Sequence, residues 1–458
     1  MSIKWDWQII EEDETWTQES PPENKPKGRM PRRLIFALAL IPILALGAFA
    51  AYVAWTYHQQ LGQVTVPVQE VARAELQAVA ANDQVAFMAL QDPDDQAWRT
   101  SQERSFGRLE RVGLPEYGWQ ATGAPPQIGR VSLEPGGALV QVTYQFSATQ
   151  PMPGEPTTVT LQIPAFYKAT ASGWVHAMLT ADLWGPERSQ KGQHVLVLYH
   201  QLDAGIVEPM IPRLDDLFAQ LCASLSCPSQ VSVVFDSSTS PRRGFLGGDG
   251  LGNSNRSRQD FFGGNGLGNA PRLDRGSLGE GGPVTLRLRS PYAVALPTDT
   301  NSRDQVYRVF ESQLARTLVF QAFGRSLFVN RLASQVILQW ELARVGLAGP
   351  FITQATKQAL AIKLDAGGTQ PLAAISLRSN SFRVDTSDAA IMSLGIAFLN
   401  QNLGTGTVER LIPALGNSTT LGEAIHTGIQ VDPATLESDW QNYLQDIVRQ
   451  TDQPGQGT

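Results

Sequence analysis

"SRDQVYRVFESQLARTLVFQAFG", residues 302–324, is one long amphipathic run, and "ILQWELARVG", residues 337–346, belongs to a second. Apolar residues recur in both runs at the spacing of a helix face, which predicts two neighbouring helices. The pattern continues to the C-terminus, with a third long helix over 386–404 and two short ones over 407–416 and 419–428. From residue 303 onward, the sequence therefore predicts a mostly helical half.

The helix ends in this half are marked by local signals. Thr420 and Glu423 form a capping box, in which each side chain bonds a backbone N–H of the first turn. Asp432 is placed as the N-cap of the last helix and Pro433 as its first residue, where a missing N–H costs nothing. That last helix should bury one apolar face, made of Leu436, Trp440, Tyr443, Leu444 and Ile447.

The bulk composition describes a globular protein with room for more than one domain. The chain has 458 residues, of which 42% are hydrophobic and 17% charged. This length and apolar content suit two or three domains with cores of ordinary size. A net charge of −7 provides no basic excess to replace phosphate counterions, so we expect no nucleic-acid partner.

An apolar run near the N-terminus predicts a membrane anchor. Residues 34–55 contain no charged side chain, and a helix of that length spans about 33 Å, close to the hydrocarbon thickness of a bilayer. We place a transmembrane helix at 34–57. A cleaved signal peptide is the alternative, but its apolar core would be shorter and nearer the start.

The charges around the anchor predict its orientation. Five basic residues precede the span: Lys25, Lys27, Arg29, Arg32 and Arg33. The first basic residue after it is Arg73. The positive-inside rule then leaves residues 1–33 as a short, disordered cytoplasmic tail and exports the rest of the chain, making a single-pass membrane protein with extracytoplasmic domains.

Residues 62–188 predict an α+β domain. A helical pattern over 67–92 is broken at Asn82–Asp83 and is followed by long strand patterns at 129–134, 138–149, 157–169 and 173–185. Val140, Val142, Tyr144 and Phe146 alternate with period two. This order resembles the cone-shaped fold of SnoaL-like and nuclear-transport-factor-like domains. No set of catalytic side chains is visible for its interior.

A second domain is expected over 190–450, before a short disordered tail at 451–458. It opens with strand, helix and strand, at 194–200, 206–225 and 230–236. His194 and His200 face one side of the first strand about 20 Å apart, too far to share a metal, so we interpret both as structural. Residues 237–283 contain two Gly-rich copies sixteen residues apart and are interpreted as a flexible insertion.

Cys222 and Cys227 are the two cysteines of the chain. In an oxidising compartment they can form a disulfide that closes a small loop, and two buried free thiols are the alternative. A structural zinc site needs four ligands of suitable geometry, and the sequence offers no second cysteine pair or histidine pair nearby.

Residues 190–450 resemble the gluzincin-like peptidase MA family. The resemblance is clearest in the C-terminal stretch, which ends in a closing L-E-x-x-W-x-x-Y-L helix starting at Leu436. In an active member, an H-E-x-x-H helix binds Zn²⁺ through its two histidines and uses the glutamate as general base. A glutamate on the following helix supplies a third ligand.

The resemblance implies that this chemistry has been lost. It places Arg316 and Phe320 at the histidine positions, Thr317 at the base and Trp340 at the third ligand, with Glu341 one residue further on. Arg stays protonated, Phe has no lone pair, and Thr is a poor base at neutral pH. We therefore expect no metal, no cofactor and no zinc hydrolysis.

The sequence predicts a membrane-anchored pseudopeptidase that binds a peptide or protein ligand in the former substrate cleft. Its fold class is α+β, with a transmembrane helix, a cone-like domain and a degenerate gluzincin-like domain that combines a small sheet with a helical half. Two alternatives stay open, namely a hydrolase with an unrecognised site and an assembly or signalling component that works through its cytoplasmic tail. Oligomeric state is not indicated.

Overall fold

The computed structural model describes residues 32–109, 119–148, 157–237, 284–294, 296–323, 330–365, 370–378, 386–404 and 406–451. It has the predicted α+β class. Residues 1–60 and 61–458 form two compact units. The tails predicted at 1–33 and 451–458 and the insertion at 237–283 lie almost entirely outside the described residues, and the predicted domain boundaries stay predictions.

Most helical residues of the described chain lie before the first strand and after the last one, and three helices lie between strands. The helices are α1 Arg32–Ala80, α2 Gln84–Ala89, α3 Gln96–Leu109, α4 Ala181–Trp184, α5 Ala204–Cys222, α6 Pro291–Val294, α7 Thr300–Phe323, α8 Arg331–Arg344, α9 Gln354–Asp365, α10 Thr386–Leu403, α11 Thr407–Asn417, α12 Leu421–Ile429 and α13 Pro433–Thr451.

The strands form two sheets. They are β1 Trp119–Ala121, β2 Gln127–Glu134, β3 Gly137–Ala148, β4 Thr157–Thr170, β5 Gly173–Ala177, β6 Glu187–Lys191, β7 Val195–His200, β8 Val231–Asp236, β9 Val284–Arg289 and β10 Leu296–Pro297.

Helix α1 includes the apolar run and continues to Ala80. Within the part of the chain that the structure describes, no helix is both long enough and apolar enough to cross a membrane. The anchor and its orientation therefore stay predictions. The predicted break at Asn82–Asp83 is confirmed: Asn82 has a positive φ of 54°, and the Asp83 carboxylate accepts a hydrogen bond from the N–H of Ala86 at 2.9 Å.

The first sheet is antiparallel, with β3 and β4 at its centre. One face of β3 is covered by α1 around Val140 and Val142, and the same face further along, at Phe146, joins the main core. The opposite face buries Leu139 against Phe166 and Trp184. The alternation predicted for β3 is confirmed, because even-numbered residues share one face.

The second sheet has the order β6-β7-β8-β9, in which β6 is an antiparallel edge and the other three strands are parallel. Helix α5 connects β7 to β8 and packs on the sheet through Val207, Met210 and Leu214. The carboxyl ends of β7, β8 and β9 consequently meet at one edge of the sheet.

The two sheets share one hydrophobic core. It contains Val197 and Val233 from the second sheet, Leu314 from α7, and Phe146 and Leu161 from the first sheet. Strand β10, although it follows the second sheet in the chain, pairs with β4 of the first. The packing is therefore continuous across the boundary predicted at residues 188–190.

Two short helices were not anticipated. Residues 181–184, part of the strand pattern predicted over 173–185, form the one-turn helix α4, and residues 291–294 form the one-turn helix α6. The predicted caps in the helical half are found. The Thr420 side chain accepts from the N–H of Glu423 at 3.3 Å, and the Asp432 carboxylate accepts from the N–H of Ala434 at 3.0 Å.

Candidate functional site

Helix α7, which carries three of the five motif positions, passes through the middle of the main core. Leu314, Ala315, Leu318 and Val319 are all fully or almost fully buried, and they lie on several sides of the helix. A helix that is buried all round serves as a packing element. Its polar residues must therefore find partners inside the protein or lose hydration without compensation.

Thr317 and Phe320 are packing positions. Thr317 is fully buried, and its hydroxyl donates to the carbonyl oxygen of Gln313 in the preceding turn at 2.8 Å. A hydroxyl held in this way is in no position to activate water. Phe320 lies within the main core, with a side chain that has no electron pair for a metal.

Arg316 is also buried, with 9% of its surface exposed. Burial lowers the pKa of its guanidinium to about 10, which still leaves it protonated at neutral pH. The structure pairs Glu311 with Arg213, Oε1 to Nε at 2.6 Å, and Glu341 with Arg344.

Trp340 and Glu341 lie next to each other on α8 but have different surroundings. The Trp340 ring packs edge-on against Phe351, with ring centroids 5.1 Å apart. Glu341 is fully buried, and its Oε2 lies 2.6 Å from Nη2 of Arg344, one turn further along α8. Its Oε1 lies 3.0 Å from the hydroxyl of Ser224. Both carboxylate oxygens of Glu341 are thus engaged.

The electrostatics of Glu341 follow from this setting. Burial raises the pKa of the Glu341 carboxyl, and the nearby charge of Glu409 adds to the rise. The hydrogen bonds from Arg344 and Ser224 and the positive charge of Arg344 act in the opposite direction. Glu341 is therefore a carboxylate that depends on Arg344 to stay ionised.

The two cysteines position Ser224. Cys222 and Cys227 form a disulfide whose Cα atoms are 5.4 Å apart, at the C-terminal end of α5. The closed loop contains Ser224, whose hydroxyl also accepts a hydrogen bond from Nη2 of Arg344 at 2.8 Å. The disulfide loop is in this way tied to α8.

A cavity of about 610 Å³ opens beside this loop. Its described lining includes the polar side chains of Ser224, Ser226, Glu409 and Asn417 and the apolar side chains of Phe323 and Ile412. Phe323 is the last residue of α7, so the cavity lies at the C-terminal end of that helix. Its volume falls within the usual range for pockets that hold small ligands.

Glu409 gives the cavity its charge. It lies in the first turn of α11, and its Oε2 is buried without a hydrogen-bond partner. Among the lining residues that the structure describes, it is the one carboxylate. A buried carboxylate oxygen favours a donor or a cation as its neighbour. The cavity can therefore accept a ligand that presents an ammonium, guanidinium or N–H group.

Metal binding has no support in the described geometry. No group of three or more His, Cys, Asp or Glu side chains that could hold a metal occurs within the described ranges. The five motif positions lie on two packed helices, but their side chains offer one carboxylate, and that carboxylate is already in an ion pair. The residues present do not fit a zinc ion.

Sequence reasoning missed the residues that shape the cavity. Glu409 resembles an ordinary acidic residue in a first helical turn, and Arg344 a basic one in a last turn. Ser224 is 117 residues from Glu341 in the chain, so no local pattern could connect them. The C-x4-C spacing around Ser224 was the available signal.

A second buried polar cluster lies in the first sheet, where none was expected. Glu75 of α1 accepts from the Tyr167 hydroxyl at 2.9 Å, and Nδ1 of His176 lies 2.7 Å from its other oxygen. The side chain of Gln91 completes the cluster. Burial alone would raise the pKa of Glu75, but His176 and the hydrogen bonds from Tyr167 and Gln91 together lower it.

Comparison with known proteins returned no relatives. No family model matches the chain, and neither a curated protein nor a solved structure does. The resemblance to gluzincin-like peptidases therefore stays an interpretation of the sequence.

Proposed function

We propose that this protein is a membrane-anchored, extracytoplasmic binding protein built on a degenerate gluzincin-like domain, and that it holds a peptide segment without cleaving it. The observation that carries the proposal is the contrast between α7 and the cavity beside it. The motif positions on α7 are packed into the core, while the space at the end of the helix is open and charged.

The side chains near the cavity favour binding over hydrolysis. A zinc peptidase needs ligand lone pairs and a free base in one place. Here Thr317 is bonded to its own helix, and Glu341 is neutralised by Arg344. At the cavity, by contrast, the buried Oε2 of Glu409 has no hydrogen-bond partner within the described part of the protein. A carboxylate in that setting selects a ligand by charge and hydrogen bonding.

The ligand that fits best is a peptide segment with a basic side chain or a free amino group. The cationic group would lie against Glu409, and less polar parts would contact Phe323 and Ile412. Ser226 and Asn417 provide further polar groups for a peptide backbone. A charged group in such a pocket contributes to specificity because a wrong partner leaves the carboxylate without compensation.

The test is site-specific photo-crosslinking in cells that produce the full-length chain. A photoreactive amino acid replaces Asn417, which is exposed at the cavity, and in a matched control it replaces Ser438, which is exposed on α13. We expect a discrete adduct from position 417 and none from 438. Glu409→Gln should reduce that adduct at least several-fold without lowering the unfolding temperature. Equal adducts from both positions, or an adduct indifferent to Glu409→Gln, would contradict the proposal.

A further inference from the structure

The carboxyl edge of the second sheet holds a group of polar side chains that the proposed binding function does not use. Strand β7 ends at His200, and Ser237 follows β8 directly. Ser290 follows β9 in the same way. Because these strands are parallel, the three residues lie at the same edge. In open α/β sheets, this is the edge at which reactive and binding groups usually collect.

His200 and Ser237 are bonded in the manner of a base and a nucleophile. Nε2 of His200 lies 2.9 Å from Oγ of Ser237. Nδ1 of the same ring lies 3.2 Å from the carbonyl oxygen of Gly185. A carbonyl oxygen can only accept, so Nδ1 carries the hydrogen in this contact. In a neutral ring, Nε2 then holds the lone pair, and the Ser237 hydroxyl must be the donor.

The carbonyl that orients the ring comes from a residue with special backbone geometry. Gly185 has a φ of +68°, in the left-handed region that favours glycine. A Cβ at this position would lie 3.0 Å from the Cβ of Gln201, the residue after His200. The Trp184 ring packs beside the imidazole, with centroids 5.9 Å apart. The His200 ring is thus oriented by two contacts, the Trp184 ring on one face and the Gly185 carbonyl oxygen at Nδ1.

The Asp203 carboxyl lies three residues after His200; burial raises its pKa, and the charge of His200 acts in the opposite direction. Asp203 is 1% exposed, and its Oδ1 accepts from the hydroxyl of Ser290 at 2.6 Å and from the N–H of Tyr292 at 3.0 Å. Its Oδ2 is buried without a hydrogen-bond partner. An imidazolium that forms on His200 would find a compensating charge there.

From this arrangement we propose that Ser237 and His200 form a nucleophile–base pair that hydrolyses a carboxylic ester. The pair is half-buried, so it is not sealed from solvent, and it is separate from the cavity at α11. The pattern has two features of an activated serine: a nucleophile bonded to a base and a base oriented by a third group.

The reaction balances with water as the second reactant. Oγ of Ser237 bonds to the ester carbonyl carbon while its proton moves to Nε2 of His200. The carbon–oxygen bond to the leaving group then breaks, and His200 returns the proton to the departing alkoxide. Water attacks the acyl-serine, Nε2 takes a proton from that water, and the proton returns to Ser237 as the acid is released.

The first experiment treats the purified full-length chain with a fluorophosphonate probe and maps the labelled peptide by mass spectrometry. We expect the label on Ser237, its loss in Ser237→Ala, and a decrease of about 100-fold or more in labelling rate in His200→Gln, the usual scale for removing a general base. Ser189→Ala, which changes an exposed serine on neighbouring β6, should label like the parent. Absent labelling, or labelling that persists in Ser237→Ala, would overturn the proposal.

A thiol variant separates reactivity from folding. Ser237→Cys introduces a free thiol into a chain whose two native cysteines are bonded to each other. We expect this thiol to react with iodoacetamide at neutral pH at least tenfold faster than the thiol of Ser189→Cys, and the excess to disappear in Ser237→Cys/His200→Gln. Equal rates in the two single variants would show a purely structural hydrogen bond and contradict the proposal.

Discussion

Arg344→Met should destabilise the protein strongly, because it leaves a buried carboxylate without its partner. Glu341 is 0% exposed and Arg344 is 29% exposed, with their closest atoms 2.6 Å apart. At that separation and an effective dielectric constant of about 20, the attraction amounts to roughly 6 kcal/mol. Desolvation offsets part of it, and solvent reaches Arg344, so we expect a loss of about 2 to 4 kcal/mol in the free energy of unfolding.

The pH dependence of this loss has a definite sign. Burial raises the pKa of Glu341 above its ordinary value of 4.5, so its ionisation works against the folded state. The protonated carboxyl group of Glu341 therefore favours the folded state. This contribution is fully present at pH values below the ordinary pKa, and it is lost as the pH rises through the pKa of Glu341 in the folded protein. Without Arg344, the folded pKa rises further. The cost of Arg344→Met should therefore be largest at neutral pH and shrink below about pH 4.5.

Urea unfolding of the full-length chain at pH 7 and pH 4 measures both effects. The matched control is the double variant Glu341→Met/Arg344→Met, which removes both charges and should recover most of the lost stability at pH 7. A single variant within about 0.5 kcal/mol of the parent would refute the reasoning, since that is the range of neutral surface changes. So would a double variant that is less stable than Arg344→Met.

Three further predictions concern the core and its constraints. His176→Ala should lower the free energy of unfolding by about 2 to 4 kcal/mol at pH 7, measured by urea unfolding. The pKa of Glu75 is lowered in the folded protein, so the stabilisation by the ionised Glu75 is present above the ordinary pKa of the carboxyl group and is lost as the pH falls through the pKa in the folded protein. An equal cost at pH 3 would contradict this prediction. Replacing Cys222 and Cys227 by serine opens a loop with a sequence separation of five and should lower the free energy of unfolding by about 2 kcal/mol. An unchanged urea midpoint would contradict this prediction. Thr317→Glu should lower the free energy of unfolding by at least about 3 kcal/mol, because it places a charge at a fully buried position. Thr317→Val should lower it by about 1 kcal/mol. Equal urea midpoints for the two variants would be inconsistent with the packing described.

Features determined by neighbouring residues were predictable from the sequence. The helix start at Thr420, the N-cap at Asp432 and the break at Asn82–Asp83 all depend on side chains that bond backbone within a few residues. The one-turn helices at 181–184 and 291–294 were missed because four residues are too few to show a helical period.

Features determined by distant residues were not predictable. Glu75 and His176 are 101 residues apart, and His200 and Ser237 are 37 apart. Glu75 on α1 meets His176 on β5 where the helix packs on the first sheet, and the crossover from β7 to β8 brings His200 and Ser237 together. Periodicity specifies neither arrangement. The sequence indicated that Arg316 and Phe320 cannot bind a metal. It contained no sign that Glu409 would face a cavity.

The most direct test of the central claim is the zinc content of the full-length protein, purified without chelator and measured by mass spectrometry together with peptide hydrolysis. Helix α7 offers no metal donor from Arg316, Thr317 or Phe320, and Glu341 is held by Arg344. We predict zinc far below one ion per chain and no peptide cleavage. One tightly held zinc per chain, lost in Glu341→Gln together with a peptidase activity, would contradict the account.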